Sequence, residues 1–368
     1  MTETTLPEAQ AGAVLDIDLG AIADNWRALR ARHATGAVAG VVKANAYGLG
    51  AEKVVPALYR AGCRHFFTAL LDEALAIRDL IPDAMLAVLN GLFPGTEAAY
   101  VARDIVPVLG SLAEIDAWAA IASTCGRRLP GIVHLDTGMA RLGLSDAELA
   151  VLAADQTRLR ALDLRFVMSH LVAAEEADNP LNETQRRRFA LACGSLPPAP
   201  RSLANSSGIF LGAGWGSELA RPGAALYGIN PTPGRPNPMR PVVRLRARVL
   251  AVRDVAVGET VGYGATWHAT RPSRIATAAV GYADGWHRSQ SNRGTALFDG
   301  RPLPLVGRVS MDLATFNASD HPALCPGDWL DLIGPGRTPD DVAAAAGTNG
   351  YEVLTSLGRR FQRIYRCA

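Results

Sequence analysis

Polar side chains follow several apolar stretches of this sequence, and the first of them is a lysine. Lys43 comes directly after two valines in VVKANAYGLG (41–50). An ammonium group is costly to bury unless it is paired or used chemically. One interpretation is a strand-end lysine whose methylene stem reaches solvent. The other is chemical use, because desolvation and nearby cations disfavour the ammonium form and free the amine to make a Schiff base.

Other polar side chains end this stretch and later apolar stretches in the same way. They are Asn45, Asp136, Arg141, Ser169, His170, Asn205, Ser206 and Arg221. Singly, each has an ordinary explanation, such as a surface ion pair for an arginine or a hydrogen-bonded strand end for the histidine. Their repeated position at successive stretch ends favours convergence on one site.

The elements that would position these residues alternate regularly between residues 19 and 230. Eight short runs read as strands: 39–45, 65–71, 84–90, 104–110, 131–137, 164–170, 200–206 and 217–223. Helical segments separate them, which predicts a (β/α)8 TIM-type barrel over residues 19–235. A doubly wound sheet is the alternative. In a barrel, the carboxyl ends of the strands meet at one mouth, where active sites lie.

Helix start and stop signals support this alternation. Asp18 is a candidate N-cap for a helix with Ile22, Trp26 and Leu29 on one face, and Ser111 with Glu114 and Ser145 with Glu148 form capping-box patterns. Gly62 and Gly194 stand where C-cap glycines are expected.

The proline-rich stretch PTPGRPNPMRP (231–241) predicts a domain boundary. Short strands and turns dominate the sequence after it, so residues 236–368 are expected to form a mainly β domain with late helices near 340–346 and 351–357. Residues 1–18 are a separate N-terminal segment, which is expected to pair with that β domain.

Composition argues for a small-molecule partner. The net charge is +2 with both signs interspersed, which offers no extended surface to nucleic acid or membrane. The five cysteines include no C-x-x-C pair, so neither disulfides nor a metal site is indicated. The start of the chain lacks a signal-peptide pattern and no run of about 18 apolar residues occurs, which predicts a cytoplasmic protein.

The last two strand ends suggest a phosphate site. ANSSG (204–208) and RPGAALYG (221–228) occupy the loops where many barrels bind phosphate, often on a short extra helix. The predicted donors to the phosphate are Ser206, the N–H groups of Gly223 and Ala224, and the Tyr47 hydroxyl. A Schiff-base lysine facing such a site suggests pyridoxal 5′-phosphate.

The sequence closely resembles the alanine racemase family over nearly its whole length. The motifs that carry the resemblance are VVKANAYGLG, DTGMARLG, ANSSG, RPGAALYG, VGYGATW, GYADGW and VGRVSMD. The resemblance implies a pyridoxal-phosphate enzyme with an N-terminal barrel and a C-terminal β domain. It also implies a homodimer whose active sites are shared between the subunits.

The resemblance implies a role for each matching residue. Lys43 would hold the cofactor and serve as the base on one face of the α-carbon, and Tyr263 of the partner subunit would serve the other face. The remaining implied contacts are Tyr47, Asn205, Ser206, Gly223 and Ala224 at the cofactor, Arg221 at its pyridine nitrogen, His170 against its ring, Arg141 and the Met311 N–H at the substrate carboxylate, and Tyr282 at the entrance.

The sequence departs from the family pattern at His134. Many members carry a carbamylated lysine seven residues before the arginine that corresponds to Arg141, and a histidine cannot form that carbamate. We expect an anion such as chloride, or a neighbouring carboxylate, to hold Arg141 instead. Some members also place a phosphate-contacting tyrosine near the C-terminus, and neither Tyr351 nor Arg359 is assigned to that role.

The predicted activity is racemisation of L-alanine to D-alanine by two bases. Two nearby hypotheses are a racemase of serine or of a broader amino-acid set, and a barrel-type decarboxylase. A non-enzymatic pyridoxal-phosphate carrier is a further rival, but it would give the β domain with Tyr263 and Met311 no role.

Overall fold

The computed structural model describes residues 8–367. The predicted segment 1–18 is therefore described from residue 8, and residues 1–7 lie outside the described part. The strands are β1 (Ala13–Asp18), β2 (Ala37–Val38), β3 (Gly40–Val41), β4 (His65–Thr68), β5 (Met85–Val88), β6 (Val106–Leu109), β7 (Leu129–His134), β8 (Leu162–Met168), β9 (Arg201–Ser202), β10 (Leu219–Ala220), β11 (Val243–Val255), β12 (Thr260–Val261), β13 (Trp267–His268), β14 (Ser273–Ala278), β15 (Thr295–Phe298), β16 (Arg301–Pro304), β17 (Ala314–Asn317), β18 (Trp329–Ile333) and β19 (Gln362–Arg366).

The helical segments surround the barrel or pack beside the second sheet. They are α1 (Leu19–Arg32), α2 (Lys43–Tyr47), α3 (Ala51–Arg60), α4 (Leu71–Ile77), α5 (Glu97–Ala102), α6 (Leu112–Thr124), α7 (Asp146–Ala154), α8 (Pro180–Gly194), α9 (Pro339–Ala346) and α10 (Gly350–Ser356). Across residues 8–367, none of them is both long enough and apolar enough to cross a membrane.

Strands β3 to β9 form a seven-stranded parallel sheet in chain order. The sheet closes through β10, which pairs in parallel with β2, while the Arg221 N–H donates to the Ala204 carbonyl at 2.8 Å. Each of the eight predicted runs overlaps a strand between β3 and β10. The predicted barrel is confirmed.

The barrel strands are apolar on both faces, as parallel strands covered by helices must be. Phe67, Val108 and Ile132 belong to the cluster that fills the barrel interior. Outside the barrel, α1 buries Ile22, Trp26 and Leu29 on one face, as its spacing predicts.

The predicted helix starts are correct. Asp18 accepts the Ala21 N–H at 2.8 Å, and the side chains of Ser111 and Ser145 accept the N–H of Glu114 and Glu148. Gly62 has a φ of 106° directly after α3, as a C-cap glycine should.

The prediction for Gly194 is wrong. This residue is the last of α8, and Ser195 follows it with right-handed backbone. A glycine inside the final turn carries the same sequence signal as one just beyond it.

The second region is a mainly β domain, which confirms the predicted class. Its large sheet runs β16-β15-β18-β11-β1-β19, with β14 and β17 attached through β11. Strand β1 pairs antiparallel with β11 and parallel with β19, so the start of the described chain belongs to this sheet. The two late helices are α9 and α10.

Candidate active site

A cavity of about 500 Å³ opens at the carboxyl ends of the barrel strands. Nine predicted residues line it: Lys43, Tyr47, Arg141, His170, Asn205, Ser206, Arg221, Gly223 and Ala224. A second cavity of about 570 Å³ lies near the amino ends of β7 and β8 and is lined by Arg128, Asp155 and Arg160 among others. It contains none of the predicted site residues, so the candidate active site is the cavity at the barrel mouth.

Lys43 opens a turn of unusual handedness. Strand β3 ends at Val41, and Ala44, Asn45, Ala46 and Tyr47 all have φ between 52° and 55°. Left-handed backbone costs roughly 1–2 kcal/mol for each residue that carries a Cβ. Neighbouring elements must therefore hold this turn in place.

Contacts at both ends stabilise the turn. At its start, Glu73 Oε1 accepts the Ala44 N–H at 2.6 Å. At its end, the Arg363 guanidinium donates to the Gly48 carbonyl at 2.6 Å, and the Tyr365 hydroxyl donates to the Leu49 carbonyl at 3.0 Å. Since both of the latter side chains come from β19, the β domain supports the loop that carries the lysine.

The surroundings of Lys43 favour its neutral amine. The side chain is half-buried, and desolvation lowers its pKa, as does the nearby Arg141. Glu73 acts in the opposite direction. A lysine of lowered pKa is suited to Schiff-base formation and proton transfer.

Arg221 is a fixed, buried cation. Only 4% of its surface is exposed, and its guanidinium donates to Ser202 Oγ and to the Ser169 carbonyl, both at 2.5 Å. Burial lowers its pKa to about 10, so the group still carries its proton at neutral pH. The orientation of this charge is set by the barrel wall.

Two histidines beside Arg221 are neutral. Desolvation, followed by the charge of Arg221, lowers the pKa of His170 to about 3 and that of His134 to about 4. The backbone carbonyl of His170 accepts from Gln185 at 2.9 Å. At neutral pH neither imidazole adds positive charge, and His170, which lines the cavity, can offer it a hydrogen bond.

Arg141 has no carboxylate partner. It is exposed at the cavity wall, and within residues 8–367 no carboxylate oxygen lies within 4.0 Å of its guanidinium nitrogens. Asp136, which begins the loop that leads to Arg141, instead accepts the N–H groups of Gly138 and Met139 at 2.8 and 2.9 Å. Among the described residues of one chain, no carboxylate holds Arg141, and the anion stays a prediction.

The predicted phosphate donors converge around Ser206. Its Oγ accepts the N–H of Gly223 at 3.1 Å and that of Ala225 at 3.2 Å. The Gly223 N–H is thus engaged rather than exposed as expected, while Ala224 is half-buried at the cavity. The Ser206 hydroxyl proton remains to be donated into the cavity, because the oxygen serves as the acceptor in both bonds.

Tyr47 completes this cradle. A Cβ on Gly223 would collide with the Tyr47 hydroxyl, so only glycine lets the two approach. The Tyr47 ring stacks on Tyr227 with centroids 4.7 Å apart, and burial raises its pKa, which keeps the phenol a donor. Asn205 orders the adjacent loop by accepting the Gly208 N–H at 2.8 Å. The hydroxyl groups of Tyr47 and Ser206 and the Ala224 N–H lie at one side of the cavity and are donors of the kind that bind a phosphate.

Tyr351 is a site residue that the sequence did not assign. It lines the same cavity, near Tyr47, at the start of α10. Its pKa is raised by burial and by the nearby Glu175. The sequence signal that could have located Tyr351 is Asn349, an N-cap residue. It accepts the Glu352 N–H at 2.9 Å and so fixes the start of α10, where Tyr351 lies.

Three strand-end residues expected to converge here, Asn45, Asp136 and Ser169, do not line this cavity, and neither do three predicted residues of the β domain. Tyr263, Met311 and Tyr282 belong to the β domain, with exposed fractions of 71%, 54% and 43%. We call these three residues the exposed face. In its own chain, the Tyr263 hydroxyl is therefore not in the wall of the cavity that contains Lys43.

The backbone brings two residues of the exposed face together. The Tyr282 N–H donates to the Ser310 carbonyl at 3.0 Å, and the Ala283 N–H donates to the Met311 carbonyl at 2.9 Å. Arg360 links the two segments further by pairing with Asp284 at 3.0 Å and with Asp312 at 2.7 Å.

The turn that carries Tyr263 packs against the same segment. A Cβ on Gly262 would lie 3.2 Å from the backbone nitrogen of Arg308, and one on Gly264 would lie 3.4 Å from the Arg308 guanidinium. Tyr263 is thus placed beside the loop that leads to Met311.

A parallel barrel with a reactive lysine, a buried arginine and a phosphate cradle, joined to a mainly β domain, defines a barrel-type pyridoxal-phosphate enzyme. Comparison with known families specifies the class further. Residues 17–231 match the alanine racemase N-terminal domain, and residues 242–365 match the alanine racemase C-terminal domain. The chain belongs to the alanine racemase family.

Individual relatives agree with this assignment. The chain is 58% identical to an alanine racemase of Acidiphilium cryptum over 96% of its own length and 98% of the relative's. It is 50% identical to a catabolic alanine racemase of Mesorhizobium japonicum, over 99% and 96% of the two chains. The crystal structure of alanine racemase from Bartonella henselae with covalently bound pyridoxal phosphate superposes with a TM-score of 0.94 at 41% identity, covering 97% of this chain and 100% of that one.

Proposed function

We propose that this chain interconverts L- and D-alanine with pyridoxal phosphate held at the barrel mouth. The observation that carries the proposal is Lys43, whose lowered pKa and fixed backbone place an amine in the cavity with the phosphate cradle. When bound, this cofactor withdraws electrons from the substrate's α-carbon, so that the carbon can lose a proton.

The residues of the cavity divide the binding between them. Lys43 attaches the cofactor, and the cradle of Tyr47, Ser206, Gly223 and Ala224 holds its phosphate. Tyr351, which lines the cavity from the β domain, is a further donor to the phosphate. Asn205 keeps the Ser206 loop in register through its bond to Gly208.

Arg221 faces the pyridine nitrogen in this assignment. A guanidinium donates a hydrogen bond but does not surrender its proton at neutral pH. A pyridine nitrogen held by Arg221 would stay unprotonated and would withdraw electrons less strongly, which would disfavour transamination. The neutral His170 lies against the ring, and the cation of Arg141 orients the substrate carboxylate.

Racemisation requires a proton donor on each face of a planar carbon. Lys43 serves one face from inside the cavity. Tyr263 is 71% exposed and lies outside the cavity of its own chain, so a second copy of the chain supplies it to the other face. The active enzyme is a homodimer, and Met311 and Tyr282 arrive with Tyr263 at the partner's cavity.

Proton exchange at the α-carbon tests this assignment. Each alanine enantiomer is incubated in heavy water with the parent enzyme and with Tyr263→Phe. We expect the substitution to suppress exchange from L-alanine more strongly than from D-alanine, because Lys43 still serves the D-enantiomer. Equal retention for the two enantiomers would contradict the two-base assignment.

The rival hypotheses are separated by substrate and by product. Serine and other amino acids are tested as substrates in the same exchange assay, and a decarboxylase would release carbon dioxide. Arg221 at the ring nitrogen and the tyrosine of GYGATW favour racemisation over decarboxylation. The expected cytoplasmic location stays a prediction.

A further inference from the structure

Three barrel helices begin with the same device, in which the third residue is a glutamate that accepts N–H groups from two segments. In α6, Glu114 Oε2 accepts the Gly110 N–H at 2.7 Å, and Oε1 accepts the Leu92 N–H at 2.8 Å in the loop after β5. In α7, Glu148 Oε1 accepts the Leu112 N–H at 3.3 Å. Each carboxylate caps its own helix and ties it to the preceding βα unit.

Glu73 is the α4 member of this set, and the segment it reaches is the one that carries the lysine. Its Oε2 accepts the Ala69 N–H at 2.9 Å beside its own helix. Its Oε1 accepts the Ala44 N–H at 2.6 Å and the Asn45 N–H at 3.4 Å. These are the two amides directly after Lys43.

The left-handed turn cannot satisfy these two amides by itself. The first N–H of the turn that bonds backward is that of Ala46, which donates to the Val42 carbonyl at 2.8 Å. The donors ahead of it need an outside acceptor, as at the start of any helical turn. Upstream of the lysine, the Val42 N–H is fixed to the Phe67 carbonyl at 2.8 Å. The Lys43 backbone is thus held from the barrel wall on one side and by Glu73 on the other.

We propose that Glu73 is a positioning residue for Lys43, which holds the left-handed turn so that the amine points into the cavity. The inference rests on the proposed role of Lys43 as the attachment point and base. Glu73 also places a negative charge near the lysine, which opposes the influence of Arg141 on its pKa.

The test compares Glu73→Gln with Glu114→Gln as a matched control. Both substitutions keep the side-chain size, remove one charge and weaken the same kind of cap, but only the first touches the lysine turn. We expect Glu73→Gln to lower kcat by about tenfold or more with KM changed by less than about threefold, because a misplaced base loses rate rather than binding. Glu114→Gln should leave both constants within about twofold at a comparable loss in Tm.

A primary isotope effect separates positioning from general destabilisation. With Cα-deuterated alanine, the isotope effect in Glu73→Gln should rise for the D-enantiomer and not for the L-enantiomer, because the Lys43 step has become slower. Hydroxylamine should also remove the cofactor from the Glu73→Gln holoenzyme at least about threefold faster than from the control, followed by absorbance. Equal behaviour of the two variants in both measurements would overturn the proposal.

A second variant keeps the proposal testable if Glu73→Gln folds poorly. Ala44→Gly added to Glu73→Gln removes a Cβ from the strained turn, since glycine adopts positive φ freely. We expect a several-fold recovery of kcat and a return of the isotope effect toward the parent value; no recovery in either would overturn the proposal. If the Lys43→Ala variant kept its racemase activity, that result would instead refute the proposed function on which the inference rests.

Discussion

The barrel mouth and the exposed face differ in how completely one chain builds them. At the mouth, Arg221 is 4% exposed and held by two hydrogen bonds from the barrel wall. On the exposed face, Tyr263 is 71% exposed on a short turn between β12 and β13. One chain therefore encloses the lysine cavity by itself, and it leaves the Tyr263 turn open to solvent.

The two regions also differ in electrostatics. Burial at the mouth lowers the pKa values of Lys43, His134, His170 and Arg221 together. Each of these groups is cationic when protonated, so desolvation and mutual repulsion act in the same direction. Folding therefore shifts the protonation equilibria of the mouth residues, whereas the three residues of the exposed face remain open to solvent.

The largest effect is expected from Lys43→Ala. Removing the amine removes both the attachment of the cofactor and one base, so racemisation should fall by about a thousandfold or more. The measurement is the racemisation rate together with borohydride trapping of the cofactor on the protein. A trapped adduct in the variant would place the attachment elsewhere than the mouth.

Mixing two inactive variants tests whether the two regions act across chains. Tyr263→Phe should lower activity by about a hundredfold, as expected for loss of one acid–base group. A heterodimer of Lys43→Ala with Tyr263→Phe has one site with both groups intact. After random exchange of subunits we expect about a quarter of the parent activity. If no activity returns after confirmed exchange, both bases belong to one chain.

The free energy of unfolding should depend on pH through a buried histidine near the mouth, and not through a histidine near the exposed face. His134 is 8% exposed, and its pKa falls from 6.5 to about 4 on folding. As the pH falls, this histidine takes up a proton in the unfolded chain before it does so in the folded chain. The free energy of unfolding therefore decreases between pH 6.5 and pH 4. At pH 5 this loss is about 2 kcal/mol relative to pH 7.

The variant His134→Asn should remove this part of the pH dependence. Urea unfolding at pH 7 and pH 5 should give a smaller fall in the free energy of unfolding than in the parent. The control is His268→Asn, which changes an exposed histidine beside the Tyr263 turn and should keep the parent's fall. Identical falls in all three proteins would contradict the assignment to His134.

The smallest effect is expected at Arg141. With no carboxylate partner among the described residues, this exposed cation is the proposed site of an anion such as chloride. Exposed ion pairs contribute about 1 kcal/mol at most, so replacing chloride by a large organic anion at constant ionic strength should raise the KM for alanine by less than about fivefold. An Arg141→Lys variant with an unchanged chloride dependence would assign the effect to another cation.

Much of the mouth followed from local sequence. Local sequence predicted the eight apolar runs, the residues that end them and the helix caps at Asp18, Ser111 and Ser145. It could do so because hydrophobic period and capping are encoded over a few neighbouring positions. Gly194 shows the limit of such signals, since its place inside or beyond the last turn depends on how α8 packs.

Sequence alone therefore determined the barrel, the β domain and nine of the residues that line the cavity. Tertiary structure decided what those side chains experience: the left-handed turn after Lys43, the bond from Ala44 to Glu73, the engaged N–H of Gly223 and the place of Tyr351 in the cavity. Each of these depends on contacts between segments far apart in the chain. No local sequence pattern predicts such contacts, because they arise from packing geometry rather than from local propensity.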